Sequence, residues 1–142
     1  MTAMSDYLEG QVINHIFRTS SFTKPTVLAI ALCTAAPADT STGSTITEVA
    51  NSYSYARQIL NPLDANWAAP TAGDGITSNL STITFGPAFG GNWGTVTHVA
   101  ITDSATHGAG NLLFHGALDS SAIVNDGDTF LFSVADLEIT FD

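Results

Sequence analysis

Positive charge is almost missing from this sequence: Lys and Arg together number 3 against 13 Asp and Glu, a formal net charge of −10. With so few cations to displace phosphate counterions or meet anionic headgroups, neither nucleic acid nor a membrane is an expected partner. Charge of either sign is scarce, at 11% of residues, against a usual ~25%. The exterior must therefore be covered mainly by Thr, Ser, Asn, Gly and Ala. Ionic side chains are costly to desolvate, so such a surface suits faces that stay in contact with neighbours. A secreted adhesive domain would share the pattern. Cysteine is nearly absent too. The single Cys33 excludes an internal disulfide and a zinc framework, and in its apolar surroundings it reads as a small buried hydrophobe. No stretch is apolar for long enough to span a bilayer. The run over residues 27–36 ends in small residues like a cleavage site, but an amphipathic helix precedes it. It reads as a buried strand, not a secretion signal.

What is present is enough for one core. The 142 residues are 44% hydrophobic, which fits a single domain over residues 1–142 that folds without staples. Residues 5–18 read as a helix, with Leu8, Val12 and Ile16 at every fourth position and Ile13 and Phe17 widening the stripe. Ser5 suits the N-cap; Asp6 and Glu9 sit near the positive end and Arg18 near the negative one. Gly10 costs this helix about 1 kcal/mol relative to Ala, so it depends on what it packs against.

The rest reads as strands and turns. In residues 26–33, Leu28, Ile30 and Leu32 alternate with Val27, Ala29 and Ala31, predicting a strand covered on both faces. A Pro/Ser/Thr/Gly-rich loop follows over residues 35–44. A strand is predicted at 53–60, then a long loop at 61–79 carrying Pro62, Pro70, Gly73 and Gly75. In 80–85, Ile83 and Phe85 point inward and Thr82 and Thr84 outward. A glycine-bearing turn at 86–94 leads to Trp93. Residues 95–102 and 111–118 form a hairpin around the turn 103–110. The last strands lie at 129–134 and 137–141, with Leu137, Ile139 and Phe141 facing in and Glu138, Thr140 and Asp142 facing out. Short strands at even spacing predict a mainly β fold: an antiparallel, jelly-roll-like β-sandwich with one N-terminal α-helix.

Several segments carry a family resemblance: residues 93–103 (Trp-Gly-Thr-Val-Thr-His-Val-Ala-Ile-Thr-Asp), residues 110–118, Tyr55-Ala56-Arg57-Gln58, Gly127-Asp128-Thr129-Phe130 and the opening Tyr7-Leu8-Glu9 to His15-Ile16-Phe17-Arg18. Together they resemble a family of small bacteriophage virion proteins, labelled either tail-fibre-like proteins or jelly-roll capsid cement (decoration) proteins. The chain departs from relatives in the loop 103–110, which carries His107, and in a longer 61–79 segment. The resemblance implies a β-sandwich in the virion. The leading expectation is a cement subunit on the capsid exterior, a homo-oligomer (a trimer) bound to the major capsid protein. A tail-fibre or baseplate subunit is the alternative, and a host-glycan-binding module using Trp67 and Trp93 as stacking platforms is the third reading.

Four residues are candidates for an interface. Trp93 follows Gly90 and Gly91, where backbone can approach another surface; it could fill a partner's pocket or plug the end of the sandwich. Trp67, in the long loop, is open to either role. Arg57, flanked by Tyr55 and Gln58, could grip a neighbour's carboxylate or one of its own chain. No enzyme is expected: His98, Asp103 and the serines form no nucleophile elbow. No metal or other cofactor is expected either. Asp126-Gly127-Asp128 lacks the serial oxygen ligands of a calcium loop and reads as a turn. His98 and His115 could face one another across the hairpin.

Overall fold

The computed structural model describes residues 3–70 and 74–141, so Gly73 and Asp142 lie outside the described residues. The chain is mainly β, antiparallel throughout the described pairings, with one helix. A two-residue strand β1 (Ala3–Met4) leads into α1 (Asp6–Phe17). Ser5 caps the helix as expected, its hydroxyl accepting from the Leu8 N–H. It also donates to the Leu112 carbonyl, which bolts the helix start to the sheet. The apolar stripe is not buried, however. Leu8 is buried and Val12 half-buried, while Ile13, Ile16 and Phe17 stand exposed.

The main sheet has five strands in the order β1, β7 (Leu112–Val124), β6 (Gly94–Thr102), β2 (Ala29–Cys33), β3 (Gln58–Ile59). All of β2 is buried. Ile30 and Leu32 enter the main core, and Ala31 and Cys33 a smaller cluster with Ile46, Ala100 and Leu112 on the other face. That two-sided cover is what the unbroken apolar run requires. β6 and β7 form the expected hairpin, but β7 continues to Val124, beyond the predicted end at residue 118. Val96 pairs with Ala122 and His98 with Ala117, so residues 118–121 bulge out between them. Their polar Asp-Ser-Ser sequence breaks the alternation that marks a strand.

The second layer is a bent two-stranded ribbon. β4 (Ile76–Ser78) pairs with β9 (Glu138–Thr140), and β5 (Ile83–Phe85) pairs with β8 (Phe130–Phe132). Asn79 sits fully buried at the bend. Its amide donates to the Ser81 and Ser133 carbonyls and its oxygen accepts from the Leu137 N–H. Ile83, Phe85, Phe132, Leu137 and Ile139 face β2 and β6 across the sandwich core, while Thr82 and Thr84 point out.

Three expectations need correction. The strand predicted at 53–60 reduces to Gln58–Ile59, because Tyr53 and Ser54 take left-handed backbone angles (φ 53° and 64°) that turn the chain. The Tyr53 carbonyl holds this turn, accepting from the Phe89 N–H and the Trp93 indole. The long loop at 61–79 contains β4 and a bridge between Trp67 and Asn79. Phe141 does not face in; it is half exposed, its ring edge-on to Phe114.

Candidate functional site

Three of the four candidate interface residues lie inside the fold. The Arg57 side chain has no exposure, and Glu48 beside it has 3%. The guanidinium makes a forked pair with Glu48, from Nε at 2.9 Å and Nη2 at 2.7 Å. Its remaining donors reach Thr102 Oγ1, the Ser104 and Ala109 carbonyls, and the Gly43 carbonyl. No donor is left over for a neighbour, so the carboxylate that Arg57 grips belongs to its own chain. Tyr55 completes the cluster. Its hydroxyl donates to Glu48 Oε1 and accepts from the Leu32 N–H. His107 closes it from the loop 103–110, with Nε2 2.9 Å from the Val49 carbonyl and its ring edge-on to Tyr55.

The cluster clasps the loops over residues 42–49 and 103–110 onto the sheet. Gly43 is essential to the approach, since any side chain there would overlap the Ala109 backbone. Desolvating an ion pair is costly, and a forked, fully bonded geometry is what offsets that cost. Burial, with the Glu48 charge nearby, pushes the Tyr55 hydroxyl well above the usual phenol range. Burial first and Glu48 second push the Cys33 thiol up to about 12, with Arg57 pulling the other way. The cluster holds its hydroxyl and thiol protonated and leaves no donor for a substrate. It is a fastening. Glu48 and Thr102 were not legible as its members, since no sequence spacing links either to Arg57.

Trp93 is 6% exposed in the main core, its ring edge-on to Tyr55 and its indole bonded to the Tyr53 carbonyl. That burial fits the plug reading and removes Trp93 as a glycan platform. Trp67 alone of the four reaches the surface. Its indole donates to the Leu60 carbonyl, and its ring lines an apolar groove of about 810 Å³ with Leu28, Leu63, Phe114, Ile139 and Phe141.

The other polar candidates are engaged within the chain. Asp126 accepts from the Gly90 N–H and Asp128 from the Asn125 N–H, as turn carboxylates do. His98 lies opposite Ala117 and His115 opposite Ala100, so the two histidines sit on a diagonal instead of face to face. His115 meets Asp39 at 2.9 Å. Among the described residues no group of His, Cys, Asp or Glu converges as metal ligands would, and no helix is long and apolar enough to cross a membrane.

Two apolar features stand out on the described surface: the groove, and the α1 face carrying Ile13, Ile16 and Phe17. Sequence periodicity identified that helical face but left open what covers it. Compared with known families, residues 3–140 match a family model described as Podophage GP4 fiber I protein gp80. No curated protein matches the chain.

Proposed function

We propose, because the chain belongs to the podophage GP4 fiber I protein family and is thus a phage virion protein, that it is a non-enzymatic structural subunit of a fibre, working by packing against other subunits. The observation that carries this is the pairing of an ion-poor exterior with apolar surfaces left open on a well-clasped sandwich. Its polar clusters are internally satisfied, and its uncovered surface is of the kind that protein neighbours cover. The net charge of −10 lies wholly outside the Arg57–Glu48 pair, which is neutral in itself. That charge argues against nucleic acid and anionic membrane as partners.

A second reading is a cement subunit on the capsid exterior, bound to the major capsid protein. The resemblance of residues 93–103 and 110–118 is to a family that carries the cement label beside the tail-fibre one, and the acidity suits a position away from packaged DNA. There the chain would stabilise the assembled head by binding only its lattice. Immunogold labelling of purified particles, with copy number per particle, separates the two. Label at the tail and few copies support the fibre subunit; label over the head and hundreds of copies support cement. Absence from purified particles overturns both.

A further inference from the structure

Two of the apolar surface features among the described residues differ in shape. One is convex: Ile13, Ile16 and Phe17 on α1, exposed by 54%, 63% and 79%. Their spacing of i, i+3 and i+4 forms the stripe a helix uses to enter a hydrophobic groove. The other is concave: the groove around Trp67, which no residue of α1 lines. The helix cannot swing into the groove of its own chain while Ser5 ties its start to the Leu112 and Leu113 carbonyls.

Charge selects the occupant. Residues 10–18 contain no carboxylate and end in Arg18, on a molecule that is acidic elsewhere. Arg18 makes no ion pair among the described residues, nor does Asp64 at the groove rim. An acidic chain carrying this groove is therefore complementary to the α1 tip, and this same chain is such a molecule. We infer that α1 of one copy docks in the Trp67 groove of a second copy, with Phe17 seated among Leu63, Trp67 and Phe141 and Arg18 paired to Asp64.

This rests on the reading of the chain as an assembly subunit. The contact is head-to-tail, because knob and groove are different surfaces; such contacts close into rings or run on as filaments. Three helical side chains offer a few hundred square ångströms, well under the ~800 Å² per partner of a standard interface. A single contact is therefore weak. A closed ring, in which every copy uses both its knob and its groove, is the form that holds.

Sedimentation of the purified full chain tests this without the virion. The wild type is expected to form a concentration-dependent oligomer. Phe17→Asp and Leu63→Glu, both at exposed positions, are each expected to give folded monomers with unchanged circular dichroism. Mixing the two leaves one intact groove and one intact helix per pair, so it is expected to restore only weak one-to-one association, at concentrations above those at which the wild type assembles. Arg18→Asp and Asp64→Arg should each weaken the oligomer, and the double variant should restore it. A wild type monomeric at every concentration overturns the inference, as does an oligomer that survives both apolar substitutions. A monomeric wild type whose Phe17→Asp variant drops out of particles also overturns it, and assigns the helix to a different virion protein. The sedimentation outcomes do not bear on whether the chain is found in particles, so this docking and the virion role fail separately.

Discussion

At the scale of single residues, the Arg57 cluster is a matter of complete satisfaction. Arg57 spends every donor within its own chain, and Glu48 is almost fully covered. Removing one partner leaves the other charge stranded, which costs far more than the pair itself contributes. Arg57→Ala should therefore lower unfolding stability by about 3–5 kcal/mol, read from the shift in urea midpoint. Cys33 gives a pH test. Its thiol titrates near 9.0 when exposed and is pushed up to about 12 by burial in the fold. Above 9.0 the unfolded chain has released a proton that the folded chain retains, so stability falls as pH rises. Stability from this group is complete below pH 9.0 and is lost progressively toward about 12. In denaturant titrations over that range the midpoint of a Cys33→Ala variant should decline less than that of the wild type. Native Cys33 should also resist alkylation at pH 8 until the protein is unfolded.

At the scale of elements, α1 and the bent ribbon are where local sequence and tertiary demand part company. A Cβ at Gly10 would meet nothing within 4 Å. Gly10→Ala should therefore stabilise the protein by about 1 kcal/mol, seen as a raised thermal midpoint, since only helix propensity changes. Asn79 is the opposite case. Its side chain satisfies the Ser81 and Ser133 carbonyls and the Leu137 N–H at the ribbon bend. Asn79→Ala orphans all three and should cost about 3 kcal/mol or more in the same assay. The helix, the two-sided β2 strand and the 95–118 hairpin were legible because their apolar periodicities are long and their turns rich in Gly and Asp. Residues 53–60 misled because their aromatic and apolar content favours a strand, whereas the left-handed turn at Tyr53 and Ser54 is fixed by bonds from Phe89 and Trp93 far along the chain. The same limit applies to the clasp: Arg57 stood out as a rare cation, but its contacts with Glu48, Thr102 and Ala109 exist only once loops meet. The apolar stripe of α1 was legible as a face, but periodicity alone does not say what covers it.

At the scale of the whole molecule, stability and exposure are divided. The sandwich is fastened internally by its core and clasp, so the open apolar surfaces on α1 and at the Trp67 groove are not needed to hold the chain together. An ordinary monomer exposes scattered apolar residues, but a helix face and a groove of this kind mark contact sites. Together with membership of a podophage fibre family, this supports the proposed role of a part that protein neighbours cover. The most direct measurement is a cryo-EM map of the intact particle at side-chain resolution. The account predicts density for this chain in the particle, with Ile13, Ile16 and Phe17 covered by a neighbouring subunit. Finding those three side chains facing solvent in every copy, or finding no copy in the particle, would contradict it.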